Sequence, residues 1–389
     1  MGSDESACSV ADAARWRRWG LAAFWLVIVL GATVRLYQCT RLPAATCDTQ
    51  RHIIYGHFVL ERGLSVAGQT LPEIDPSYKN VCFRFMPYMY PPLALWFFTA
   101  VAAIWPSLFF AKLALTGLEA VNTLLLYRLT RSRWLAAVYW VWPLSTWWIS
   151  REAQYEPLQN IFVLAAFCLL PGRPFLGILM LMLAIQSKVT ALALAPYAAW
   201  VIFLGVPGSP GIVSMASIPW RRIAPAAAGV AVGALPTLIA KLYYAPIWQF
   251  RYWSGRVGAS DLYWNPFNIE VRGGAAMDAW GWWHLALTYA LLAFLLVAAF
   301  RSRYRIAYLA PLVFVVFLLM SHLVQPWYLL ALAAFVVPVR ERRVVWGVFI
   351  VLILMNLEPV ARLAGHRMYA EPEYYPQQQL DSAFQSVVK

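Results

Sequence analysis

The chain is a succession of apolar runs, each closed by a short arginine cluster or by tryptophan, and that alternation constrains the fold more than any single motif. About 20 apolar residues in a row can cross the hydrocarbon core as a helix, fewer where the helix is buried among others. Runs of this kind fall at approximately 19–39, 108–128, 134–150, 158–171, 175–188, 190–205, 223–243, 282–300, 306–321, 327–339 and 344–359. Composition agrees, since 61% of the residues are hydrophobic and only 13% charged, about half the charged share of a soluble domain. The expectation is an all-α, polytopic helical bundle of about eleven transmembrane helices, forming one domain over 1–389.

Trp105, Trp134, Trp147, Trp148, Trp220, Trp282 and Trp283 stand at run ends, where amphipathic rings anchor at the lipid–water boundary. The formal charge of +13 would invite a nucleic-acid partner if it formed a basic face on a folded domain. Here the arginines are scattered in small clusters between apolar runs, so they report orientation and no nucleic acid is expected. Met1 to Ala14 is polar and acidic with no small-residue cleavage pattern after it, so the first run reads as a retained anchor. The cysteines Cys8, Cys39, Cys47, Cys82 and Cys168 show no metal-ligand spacing, so neither a metal nor another cofactor is expected. Cys47 and Cys82 either close a disulfide across an outer loop or remain free thiols.

One further apolar run, Pro91 to Trp105, decides the parity of everything after it. If it does not cross and the N-terminus is cytoplasmic, the clusters Arg15/Arg17/Arg18, Arg128/Arg131/Arg133, Arg173, Arg221/Arg222, Arg301/Arg303/Arg305 and Arg340/Arg342/Arg343 all fall on one side, as the positive-inside rule requires. Asp48, Glu61, Glu73, Asp75, Glu152, Glu156, Asp261, Glu270 and Asp278 then share the other side. Pro91 to Trp105 is therefore expected as an interfacial or re-entrant helix. The outer face carries a first loop at 40–107 with juxtamembrane helices, a second at 244–281 and a tail at 360–389.

The candidate chemistry lies on that outer face. Asp48 precedes an apolar-periodic run (Ile53, Ile54, His57, Phe58, Leu60, Leu64) and is either a helix N-cap or a general base on a hydroxyl nucleophile. Gln50, Arg51, His52 and His57 follow it; the two histidines lack the i, i+4 metal spacing and read as polar-face residues. Tyr88 and Tyr90 fit an aromatic rim. The run Arg151 to Asn160 is either a solvated turn or a polar lining built from Glu152, Gln154 and Glu156, because such groups near a membrane are expensive unless they face a cavity. Lys188 sits in Gln186-Ser187-Lys188 at the apex of two short helices, where its anion would be a phosphate or a carboxylate. His322 and Gln325 occupy another outer turn, and Arg251 and Arg256 the second outer loop.

Taken together, this set resembles the GT-C superfamily of polytopic glycosyltransferases that use polyprenyl- or dolichyl-phosphate sugars. The resemblance rests on Asp48 in Cys47-Asp48-Thr49-Gln50-Arg51-His52, on Tyr90-Pro91-Pro92-Leu93, on the polar turn Glu152 to Asn160, on Lys188 with the hydrophobic run to Pro196, on Asn265 to Asn268, and on Gln325-Pro326-Trp327-Tyr328. It implies an inverting transfer of a mannose-type sugar from a polyprenyl-phosphate donor to a lipid-linked or cell-envelope glycan. Asp48 would be the base, Lys188, Arg256 and Arg251 would hold the leaving phosphate, and Gln50, Arg51, His52, Tyr90, Glu152, Gln154, Glu156, His322 and Gln325 would bind substrate. No second acid follows Asp48 within two residues, which favours a metal-independent reaction. The implied setting is a bacterial inner membrane with a periplasmic site, or an endoplasmic reticulum with a luminal one. A transporter or lipid-glycan flippase, with Lys188, Glu119 and Glu358 as intramembrane relay groups, is the rival reading.

Overall fold

The computed structural model describes residues 4–41, 47–80, 87–88, 90–205, 220–244, 279–302, 304–320, 328–339 and 341–355. Among these residues the chain is helical throughout, with no strand. Helix α1 spans Asp4–Cys39 and includes the apolar stretch Trp19–Cys39. Among the described residues, three stretches are long and apolar enough to cross a membrane: Trp19–Cys39, helix α5 (Leu108–Thr130) and helix α11 (Trp220–Ala240). At 1.5 Å per residue such helices span about 30 Å, the thickness of the hydrocarbon core. Trp25, Leu26, Val29 and Leu30 of α1 are exposed, as lipid-facing residues would be.

The other apolar runs are helices too, most of them shorter. They include α8 (Glu156–Leu169), α9 (Pro174–Ser187) and α10 (Ala195–Leu204), then α12 (Ala279–Arg301), α13 (Leu309–Met320), α14 (Leu329–Phe335) and α15 (Arg342–Met355). Eleven crossings therefore do not follow from helix length. Several arginine clusters do meet in space. An Arg222 Nη2 donates to the carbonyl of Pro171 at 2.9 Å, beside Arg173, and the Ser302 hydroxyl donates to Glu341, which joins the turns after α12 and before α15.

The segment expected as the first outer loop folds, among the described residues, as two helices laid together. Helix α2 (Cys47–Arg62) packs along α4 (Pro92–Ile104), and between them a short helix α3 (Leu71–Ile74) is closed by a capping box from Thr70 and Glu73. The expected Pro91 to Trp105 run is thus a 13-residue helix, about 20 Å long and too short to cross. Pro92 starts it, where its missing N–H does no harm. Gly56 sets the approach of α2 to α4: a Cβ there would fall 2.7 Å from the backbone carbonyl of Phe98.

The expected crossing at 134–150 is broken. Helix α6 (Arg133–Val141) stops at Trp142, which takes the extended conformation that a following proline demands. A short helix α7 (Pro143–Ser145) and a π-helical turn (Thr146–Arg151) follow. Pro143 has no N–H to continue the ladder. The carbonyl that an N–H there would have bonded, Tyr139 O, accepts from Trp142 N–H at 3.4 Å, and the neighbouring Trp140 carbonyl accepts from Arg35 Nε of α1 at 2.9 Å.

Candidate functional site

The π turn aims the polar run Arg151 to Asn160 at α2. The turn closes through Glu152 N–H to Trp147 O at 3.0 Å and Gln154 N–H to Trp148 O at 2.8 Å. Ala153 takes a left-handed φ of 57°, and its carbonyl accepts from the Thr49 hydroxyl at 2.8 Å. This bond ties the polar run to the first turn of α2. The turn is not solvated: Glu152, Gln154, Glu156, Gln159 and Asn160 are all buried. Of the two readings of this run, the solvated turn does not match the burial.

Helix α2 begins at Cys47, so Asp48 lies inside its first turn and not at the cap; the Asp48 side chain lies outside the described residues. The three residues after it, Thr49, Gln50 and Arg51, are buried with His52. Arg51 donates to the carbonyl of Pro87 at 2.5 Å and lies over the Tyr55 ring. The polar-face expectation fails for His52, which is fully buried, and holds for His57, which pairs with exposed Glu61 at 3.0 Å. Five residues on a helix turn through about 140° beyond a full revolution, so the two imidazoles look in different directions.

His52 sits inside a cage of rings. It stacks on Phe98 with centroids 4.8 Å apart, lies 4.3 Å from Tyr90 and 4.7 Å from Tyr155, and its Nδ1 shares a 2.7 Å hydrogen bond with Tyr88 Oη. Its Nε2 has no hydrogen-bond partner among the described residues. Burial, reinforced by the charges of Arg51 and Lys188, holds its pKa well below the ordinary imidazole value. The imidazole is neutral at neutral pH. Burial likewise pushes the Tyr88 and Tyr55 phenols up, so both stay protonated.

Lys188 closes the site from the opposite side. It caps the C-terminus of α9 in an extended conformation, with its N–H bonded to Ala184 O at 2.9 Å, and a 3₁₀ turn (Val189–Leu194) leads on into α10. The apex expected for it is present, and the anion it finds is a carboxylate, Glu156 at the start of α8. The ammonium also lies 5.0 Å from the Tyr155 ring centroid and 4.4 Å from that of Tyr328. Tyr155 therefore touches both His52 and Lys188. His52 and Tyr90 are thereby brought together with Glu156 and Lys188 through Tyr155, and Gln50, Arg51, Glu152 and Gln154 are buried on the same two segments. Arg251, Arg256, His322 and Gln325 lie outside the described residues.

Three buried charges were missed or given another role by sequence reasoning. Arg35 in α1 is fully buried; beyond Trp140 it donates to Ser145 Oγ at 2.8 Å and Ser150 Oγ at 3.3 Å. Ser145 in turn donates to Glu119 of α5, which also accepts from Tyr139 Oη at 3.0 Å and Asn122 Nδ2 at 3.2 Å. Lys112, one turn before Thr116 on α5, is buried and donates to Arg41 O at 2.8 Å. The readable signal is a polar stripe at helical spacing, Lys112, Thr116, Glu119 and Thr123, inside an apolar run. Compared with protein-family models, with curated proteins and with solved structures, the chain matches none.

Proposed function

We propose that the chain is a membrane glycosyltransferase of the GT-C kind, moving a mannose-type sugar from a polyprenyl-phosphate donor to a lipid-linked or cell-envelope glycan with inversion. The observation that carries this reading is the buried meeting of two loop segments around Tyr155, with the first turn of α2 on one side and the Glu156–Lys188 pair on the other. Asp48 is the base that takes the acceptor hydroxyl proton as that oxygen attacks the anomeric carbon, and the lipid phosphate leaves with the bonding electron pair. An ionised carboxylate in the first turn of a helix is stabilised by the helix dipole, which keeps it charged and ready to accept. A phosphate leaves well when positioned cations hold its developing charge, so no acid and no metal are required.

Lys188 is the described cation for that phosphate. Its ammonium has three donors, one of them held by Glu156, and the pair orients it toward Tyr155 and Tyr328. Arg251 and Arg256 are the further candidates from the second outer loop. Neutral His52, with a ring nitrogen unused, supplies a hydrogen bond to a sugar hydroxyl without adding charge, and Gln50, Arg51, Tyr90, Glu152 and Gln154 complete the substrate contacts. His322 and Gln325, outside the described residues, are the remaining candidates for substrate contact. The setting is an inner membrane with the site on the periplasmic side.

The buried Arg35–Ser145–Glu119 relay inside the helices favours a second reading, a transporter. Against it, each of those groups is bonded to its neighbours and to the break at Pro143, an arrangement that fixes a helix in place. The discriminating experiment incubates purified protein with a panel of polyprenyl-phosphate sugars and follows donor consumption. Loss of one donor with release of polyprenyl phosphate supports the enzyme; intact donors moved between leaflets of a liposome support transport.

A further inference from the structure

At the arginine-rich end of the bundle, a cavity of about 270 Å³ opens between the turn from α5 to α6 and the turn from α14 to α15. Arg131 and Arg342 line it with Ser132, above a floor that includes Leu135, Val339 and Val345. The floor residues are buried and both arginines are exposed. Neither guanidinium forms an ion pair among the described residues. Glu341, next to Arg342 in the chain, instead accepts from Ser302. Two like charges facing one concavity repel, and among the described residues no carboxylate lines the cavity to offset them. An anion between them would relieve that repulsion and be gripped from both sides.

We propose that this cavity binds the phosphate of an anionic membrane-lipid headgroup. The guanidiniums suit phosphate geometry, each being a rigid fork of N–H donors. The volume lies just below the range of about 300 to 1,000 Å³ typical of small-molecule pockets, so it holds a headgroup while the acyl chains stay in the bilayer. The apolar floor suits the glycerol end of such a lipid better than a fully hydrated ion. Basic pockets between membrane helices are a recurring form of headgroup recognition. The site lies away from Lys188 and His52 and is independent of the proposed transfer reaction.

The test is native mass spectrometry of the full chain in detergent, titrated with phosphatidylglycerol, phosphatidylcholine or inorganic phosphate. Wild type is expected to retain phosphatidylglycerol in preference to phosphatidylcholine. The double variant Arg131→Ala/Arg342→Ala should bind phosphatidylglycerol roughly 25-fold more weakly, about fivefold for each arginine. Arg131→Lys/Arg342→Lys keeps the charge but loses the fork, so it should bind more weakly than wild type and more tightly than the double alanine variant, which separates loss of the site from loss of the fold. Arg128→Ala and Arg343→Ala, on arginines that do not line the cavity, should change affinity by no more than about twofold. Equal binding of the two lipids, or unchanged binding by the double alanine variant, would overturn the proposal. So would displacement of the lipid by inorganic phosphate at comparable concentration, which would assign the cavity to a free anion.

Discussion

The Glu156–Lys188 pair allows a worked energetic prediction. Its side chains are 1% and 11% exposed, and the ammonium has aromatic rings on two sides. An exposed ion pair contributes about 0 to 1 kcal/mol, whereas removing one partner of a buried pair costs about 3 to 5 kcal/mol because a charge is left uncompensated. Glu156→Gln keeps an oxygen that can accept from Lys188, and the slight exposure of the lysine admits some water, so about 2 to 3 kcal/mol is expected. Lys188→Met strands the more deeply buried carboxylate and should cost about 3 to 4 kcal/mol. The double variant Glu156→Gln/Lys188→Met strands neither charge. It should be no less stable than Lys188→Met alone, giving a coupling of at least about 2 to 3 kcal/mol in a double-mutant cycle. The assay is detergent-titrated unfolding of the four proteins, read by tryptophan fluorescence. Additive losses within about 0.5 kcal/mol, or single losses under about 1 kcal/mol, would refute a desolvated pair.

Two further predictions concern the first outer loop. Gly56→Ala places a Cβ against the Phe98 carbonyl, which is backbone and cannot rotate away, so α2 must shift from α4 at a cost of about 1 to 3 kcal/mol; a melting temperature equal to wild type would show that the helices are not in contact. His52 is held neutral when folded, while in the unfolded chain it takes up a proton near pH 6.5. The unfolded state therefore binds more protons below that pH, and stability falls as the pH drops from about 6.5 toward the depressed folded pKa, by up to about 1.4 kcal/mol per pH unit. Above pH 7 His52 adds no slope. Melting curves between pH 7.5 and 5 should show this slope in wild type and a shallower one in His52→Gln, and parallel slopes would contradict burial of a neutral imidazole.

Local pattern made the helices legible, and distance in sequence hid their partners. Apolar runs placed the Trp19–Cys39 part of α1 and helices α5, α8, α9 and α11 within a few residues but missed the start of α1 at Asp4, and Tyr90-Pro91-Pro92 marked the start of α4 because proline tolerates a helix start. Trp142-Pro143 carried an equally clear signal for a break, but the surrounding apolar residues read as one run. The π turn that follows has no such local signature; it is held by Arg35, more than 100 residues earlier in the chain. Lys188 was legible as a buried cation in need of an anion. Which carboxylate it meets was not, since Glu156 lies 32 residues away and the pairing depends on how α8 packs on α9. His52 and His57 looked alike in sequence, and only the packing of α2 on α4 separates the caged imidazole from the exposed one.

Asp48 in the first turn of α2 is the residue on which the proposed chemistry turns. The most direct measurement is release of polyprenyl phosphate from the donor consumed by wild type, compared between wild type and Asp48→Asn reconstituted to equal levels in liposomes. General-base catalysis supplies about 10²- to 10⁴-fold. Release by Asp48→Asn should therefore slow by at least about a hundredfold, while insertion and donor binding stay unchanged. Release at the wild-type rate would contradict a base at position 48 and leave that carboxylate as a helix-end charge alone.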